Sequence, residues 1–270
     1  MALATARILL IVPTRDSLSL LARLVDSLLQ QSFGAWEVCF IDASTRPETP
    51  AWLESLCRQD SRFRWQPQQP GRMGIFGAMN QGFSLASPDD WLLFWGSDDW
   101  AASPTVLDEV LSLLERARQQ GKEPDLLISS GRYVGLEGAA AMRPGRRSAL
   151  GWWHSYRSSM LLGSTPPHQA TLIGPGARRY LAHYREDFRL AADLDYFLRL
   201  CRWPGLRVLL TPLELVHMGE GGVSSRQTTR RLAEVRRAYG EAFGLLWPLP
   251  FLARYGQRLA SRWMAPRPLP

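Results

Sequence analysis

Asp98 and Asp99 stand side by side at the end of "WLLFWGSDDW", where the apolar run Trp91 to Trp95 stops at Gly96 and Ser97. Adjacent carboxylates repel unless a cation or sugar hydroxyls satisfy them. A hard divalent ion such as Mg2+ or Mn2+ prefers carboxylate oxygens and commonly shares substrate phosphates. The plain alternative is a solvated turn with Asp99 near a helix start. A second acidic pair, Asp193 and Asp195, lies in "AADLDYFLRLC". If this segment is helical, Leu194, Phe197, Leu198 and Cys201 form one apolar face. At about 100° per residue the two aspartates flank that face on opposite sides, so they do not both point into one site.

The elements that must position these acids are readable from the pattern. Ile8 to Val12 is a short continuous apolar run ending at Pro13, as expected of a strand buried on both faces. Residues 18 to 29 place Leu18, Leu21, Val25, Leu28 and Leu29 near helical spacing, with Ser17 or Asp16 as cap. "WEVCFID" reads as a second strand, "AWLESLCRQ" as a helix, "RFRWQ" as an edge-like third strand and residues 75 to 86 as a helix. The opening stretch is then a fourth strand. This β-α-β-α order implies a parallel, doubly wound sheet, in which ligands bind outside the carboxyl ends of the strands. From Ser103 the pattern changes: Ser103 and Pro104 should start a helix running to about Gln120. "DLLISSGRYVG" and "RVLLTPLELVHM" look like further strands, and "GWWHSYRSSMLLGSTPPHQA" between them is irregular. The expected organisation is one continuous α/β domain over 1–245, with halves 1–102 and 103–245, followed by a tail over 246–270.

Bulk composition sets wide bounds. The 270 residues are 46% hydrophobic and include eleven tryptophans, enough for a substantial core. The formal charge of +7 is carried almost entirely by arginine, Lys122 being the only lysine. Such an excess suggests nucleic acid, nucleotide phosphates or an acidic membrane surface as company. Because the arginines are scattered and no binding motif appears, nucleic acid is not expected. Cys39, Cys57 and Cys201 have the spacing of neither a disulfide framework nor a zinc site, and two of them, in apolar or helical contexts, read as small core residues. The N-terminus lacks the parts of a secretory signal, and no run reaches the ~20 apolar residues that span a bilayer. A cytoplasmic location is expected.

Taken in order, "ILLIVPTRDSLSLLARLVDSLLQQSFGAWEVCFIDAST", "GIFGAMNQGFSLA", "WLLFWGSDDW", "HQA" at 168–170, "FRLAADLDYFLRL" at 188–200 and "GEGGVSS" at 219–225 resemble the family 2 glycosyltransferases. The resemblance covers roughly residues 7 to 225. It implies a GT-A fold, Rossmann-like, and an enzyme that transfers a sugar from a nucleoside-diphosphate sugar with the help of Mg2+ or Mn2+. It places Thr14, Asp42, Arg72, Asn80 and Asp98 on the nucleotide sugar, Arg72 at a phosphate or base. Asp99, with Asp98, would bind the metal bridging the diphosphate, and His217 would be a further metal or diphosphate contact. His168 and Asp195 fall on the acceptor side. Asp193 matches the catalytic base, which would take a proton from an acceptor hydroxyl so that configuration inverts; capping of the helix is the other reading.

Several positions depart from the family pattern. Ala192 replaces the acid before the base. Ala43, Ser44, Thr45 and Arg46 follow Asp42 where Gly-Ser-Thr-Asp is common, and Gly71, Arg72, Met73 and Gly74 occupy a loop that often reads Asp-Lys-Gly. A UDP-sugar remains the default donor and a glycan or lipid-linked saccharide the acceptor, in bacterial polysaccharide synthesis. Trp152, Trp153 and His154 could stack on an acceptor, although core packing is the simpler expectation. Ala253 to Met264 could form a basic amphipathic helix on a membrane surface or pack on the domain. The competing readings are an inactive sugar-nucleotide-binding relative and a nucleotidyltransferase, whose Gly-rich phosphate loop after the first strand is not evident.

Overall fold

The computed structural model describes residues 7–32, 34–135, 147–219 and 228–264. Its first half is built from β1 (Ile8–Thr14), α1 (Leu18–Leu29), β2 (Trp36–Asp42), α2 (Glu48–Gln59), β3 (Phe63–Pro67), α3 (Gly74–Leu85) and β4 (Trp91–Phe94). These strands lie parallel in the order β3-β2-β1-β4. The unbroken apolar run of β1 follows from burial on both faces: Ile8, Leu10 and Val12 enter one core and Leu9 and Ile11 the other. On α1, Leu21, Leu24, Val25 and Leu28 are the buried stripe.

The second half extends the same sheet. It comprises β5 (Asp99–Ala101), α4 (Val106–Gln119), β6 (Leu126–Val134), β7 (Arg147–Ser148), α5 (Tyr156–Leu161), β8 (Thr171–Ile173), α6 (Pro175–Tyr180), α7 (Ala192–Leu200), β9 (Val208–Gly219), α8 (Thr228–Phe243) and α9 (Pro248–Met264). The sheet runs β3-β2-β1-β4-β8-β6-β9-β5, with β7 beside β6. β8 is antiparallel to both β4 and β6, and β5 is antiparallel to β9. The long registers are parallel: seven residue pairs join β1 to β2 and eight join β6 to β9. With helices on its faces, this mostly parallel curled sheet is a GT-A fold.

Local expectations needed adjustment where side chains found tertiary partners. Ser17 stands at the N-cap of α1 without capping it, because its hydroxyl bonds Ser97 instead. α2 starts at Glu48, three residues before the expected "AWLESLCRQ". Ser103 and Pro104 do not open α4, which begins at Val106; their carbonyls accept from Gln31 and from the Ser32 amide. Trp152 and Trp153 are 43% and 48% exposed, so core packing does not describe them.

The tail helix begins at Pro248, ahead of the expected Ala253, and its first turns pack on the domain. Arg254 Nη1 donates to Thr165 Oγ1 (2.7 Å) and Gln257 Nε2 to the Leu162 carbonyl (3.0 Å). Gly163 lets the helix this close: its φ is +79°, and a Cβ there would lie 2.4 Å from the Arg254 amide nitrogen. Gly163→Ala is therefore expected to cost about 1–3 kcal/mol and to loosen α9. Urea denaturation with limited proteolysis checks this; unchanged stability and unchanged cleavage after Phe243 would refute the tight contact.

Candidate active site

The carboxyl ends of β1, β2 and β4 are laced together by short polar side chains. Asp42 Oδ1 accepts from Thr14 Oγ1 (2.7 Å) and from both the hydroxyl (2.6 Å) and the amide (3.2 Å) of Ser44. Asp16, at φ +48°, receives the Thr45 and Arg46 amides at 3.0 and 3.1 Å. This left-handed kink costs an aspartate little, since its side chain bonds locally. Ser17 Oγ donates to Ser97 Oγ, which donates to the Pro13 carbonyl. The result is one rim carrying Thr14, Asp42 and the acidic turn. Ser44, Thr45 and Ser97 were not singled out from sequence, although their places beside strand ends were the signal.

Gly96 shapes the acidic turn. Asp99 Oδ2 accepts the Gly96 amide at 2.6 Å, and the Asp99 amide donates to the Gly96 carbonyl. A Cβ at position 96 would lie 2.6 Å from Asp98 Oδ1 and 3.3 Å from Asp99 Oδ2, so both carboxylates converge over a space only glycine leaves open. Asp99 is buried and Asp98 half-buried. Among the described residues no basic side chain pairs with either. Burial pushes the Asp99 carboxyl well above the usual range, the Asp98 charge pushes further, and the Gly96 amide opposes both. Burial also raises Asp98. The last residue of β9, Gly219, donates to the Asp98 carbonyl at 3.1 Å; the rest of "GEGGVSS", 220–225, lies outside the described residues.

His168 packs between the end of β4 and α7, against Phe94 and Phe197. The His168 ring stacks on Phe94 at 5.6 Å, and its Nε2 bonds the Tyr184 hydroxyl at 2.8 Å. Burial lowers the His168 pKa while the nearby Asp193 charge raises it. The buried Trp95 indole donates to the Gln169 carbonyl at 2.9 Å, fixing the same loop to the end of β4. Asp193 is half-buried in the first turn of α7. Asp195 diverges from it, buried between Arg185 (3.7 Å) and Arg199 (2.8 Å).

Three other expected site residues are engaged elsewhere. Asn80 is buried: its Nδ2 donates to the Tyr184 carbonyl and to Glu186, and its Oδ1 accepts the Tyr184 amide. It positions the His168 partner from behind. Arg72 pairs with Glu186 at 3.3 Å. His217 pairs with Glu214 at 2.9 Å and packs edge-on against Trp100. Trp100 is the β5 register partner of His217. Because side chains alternate along a strand, His217 sits on the face opposite Asp99.

Glu234, from α8, was missed because only tertiary folding brings it here. Its carboxylate accepts the amides of Arg189 (3.0 Å), Leu190 (2.7 Å) and Ala191 (3.1 Å), immediately ahead of α7. α7 has no side-chain cap of its own, so Glu234 supplies the negative charge that a helix N-terminus favours.

Comparison with known proteins agrees with this architecture. The profile of Glycosyl transferase family 2 matches residues 9–162. The chain is thus a glycosyltransferase with a GT-A fold, and it belongs to glycosyltransferase family 2. An uncharacterized glycosyltransferase of Mycobacterium tuberculosis is 28% identical over 228 residues, 81% of this chain and 80% of that protein. A PGL/p-HBAD biosynthesis glycosyltransferase of Mycobacterium bovis is 25% identical over 198 residues, 73% of this chain and 70% of that one. S. aureus TarS 1–349 in complex with UDP-GlcNAc matches with a TM-score of 0.66 at 18% identity, covering 87% of this chain and 66% of that chain. A mannosyltransferase from Pyrobaculum calidifontis, in complex with GDP-Man and Mn2+, has a TM-score of 0.58 at 13% identity, covering 97% and 76%. The chain spans 46% of the longer TarS structure.

Two stability tests follow from the geometry. The Asp99 carboxyl holds its proton more tightly folded than unfolded. Native stability therefore falls as pH rises from an unfolded value near ~4 toward the higher folded one. Asp99→Asn keeps an oxygen for the Gly96 amide and removes this penalty. Without divalent ions it is expected to match wild type near about pH 4 and to melt higher at neutral pH; a difference independent of pH would contradict the buried-charge account. Glu234→Ala should cost about 1–3 kcal/mol in urea denaturation, because three amides lose their acceptor, and Glu234→Gln less. Equal, negligible losses would remove Glu234 as the cap.

Proposed function

We propose that the protein transfers a sugar, with inversion, from a nucleoside-diphosphate sugar to a hydroxyl of a glycan or lipid-linked saccharide. The observation that carries this reading is the convergence of Asp98 and Asp99 over Gly96, on the rim that holds Asp42. In this reading residues 1–102 bind the donor, with Thr14 and Asp42 at the nucleotide, and residues 103–245 receive the acceptor. A UDP-sugar is the default: TarS 1–349 is described in complexes with UDP and with UDP-GlcNAc, while the mannosyltransferase holds GDP-Man.

The acidic turn suits Mg2+ or Mn2+: two carboxylates converge without a basic partner, and each gains from a cation that offsets their repulsion. Asp99 and Asp98 would hold the ion. When bound, the ion supplies positive charge to a leaving diphosphate. Asp193 removes the proton from the acceptor hydroxyl, whose oxygen attacks the anomeric carbon on the side opposite the departing nucleoside diphosphate. Trp152 and Trp153, exposed on a loop pinned through Ser159 and Ser164, offer stacking faces to the acceptor.

Asp193→Asn is expected to lower transfer by about 10²–10⁴-fold while the donor still raises the melting temperature. A screen of nucleotide sugars with and without Mn2+, by thermal shift and by product chromatography, reads both effects. Near-normal turnover in Asp193→Asn would remove it as the base. A donor-induced shift that survives Asp99→Ala unchanged would remove the metal-binding turn.

A further inference from the structure

We propose that the corner between α8 and α9 is a docking surface for an anionic lipid bilayer. Four leucines cluster there in the open: Leu245 is 98% exposed, Leu252 67%, Leu246 60% and Leu249 48%. Their exposure follows from how α9 is seated. Pro250, Arg254 and Gln257, spaced i, i+4 and i+7, form the side that meets residues 162–165. Phe251 and Tyr255 join Trp247 against the core. Leu249 and Leu252 are left facing away, next to Leu245 and Leu246 on the connecting turn. Isolated exposed leucines are ordinary, but four together at one corner mark a surface that is covered in use.

The surrounding charge selects the cover. Residues 245–257 at this corner contain no acidic residue, and Arg254 is engaged by Thr165. On α8 a shallow groove of about 420 Å³ is lined by Ala233, Arg236, Arg237, Gly240 and Trp247. Arg236 lies 5.0 Å over the Trp247 ring and has no acidic partner among the described residues, whereas Arg237 is held by Asp187 and Glu241. A second copy of the chain seated on this corner would bring like charges together. A bilayer of acidic phospholipids offers hydrocarbon for the leucines, phosphate for Arg236 and an interface that suits tryptophan. The surface is independent of the donor site, so it stands or falls apart from the catalytic reading.

The full chain is floated with vesicles of phosphatidylcholine alone and of phosphatidylcholine mixed with phosphatidylglycerol. Binding to the mixed vesicles is expected to exceed that to phosphatidylcholine by roughly tenfold and to weaken with added salt. The triple variant Leu245→Ser, Leu249→Ser, Leu252→Ser is expected to lose roughly tenfold of that binding, and Arg236→Gln to lose it only on the anionic vesicles. Because the substituted leucines are exposed, the melting temperature should stay unchanged, which separates lost docking from lost folding. Equal recovery of wild type and triple variant would overturn the proposal. So would sedimentation showing a wild-type dimer that the triple variant dissolves, since the leucines would then belong to a second copy.

Discussion

Charge repulsion between neighbours organises this molecule's working edge. Asp98 and Asp99 cannot relax away from each other, because β4 ends just before them and β5 begins at Asp99. Gly96 lets their side chains fold back over the backbone, and the single amide at that position compensates only one oxygen. Asp42 and Asp16 each gather several donors, Asp42 from Thr14 and Ser44 and Asp16 from two amides and a threonine hydroxyl, whereas Asp98 and Asp99 have backbone amides alone. The contrast marks the acidic turn as the place where the fold leaves negative charge uncompensated.

The same contrast separates the two aspartates of α7. Asp195 is buried and answered by two arginines, so it ties α7 to the loop at 185. Asp193, two residues earlier, has no arginine partner among the described residues, and its charge opposes burial at His168. One helical turn thus carries a structural ion pair and a carboxylate left available. Glu234 anchors the start of that turn from a different helix, in a chain where the residue before Asp193 is alanine.

Much of the first half was legible because its signals are local. A continuous apolar run means a strand covered on both faces, which placed the acidic pair at a strand end, and the family resemblance added Thr14 and Asp42 beside it. Helical periodicity set Asp195 on another side of α7 from Asp193, and the structure buries Asp195 between two arginines. What escaped depends on distant partners: Ser17 bonds across to Ser97 rather than capping its own helix, and Glu234 caps a helix about forty residues upstream of it. Trp152 and Trp153 misled because aromatic residues usually denote core, while here two side-chain hydroxyls hold their loop at the surface. His217 lay at a suitable strand end, but a one-residue alternation turned it to the other face.

A single sheet runs from β3 to β5, and β8 sutures its two sides through one register pair with β4, Leu92 to Ile173. The Trp95 indole and the His168 stack reinforce that seam. The acidic rim and the start of α7 therefore hang on one continuous sheet rather than on two separate ones. In the proposed reaction, the spacing between the two groups of acids would be set by strand order, not by two domains meeting.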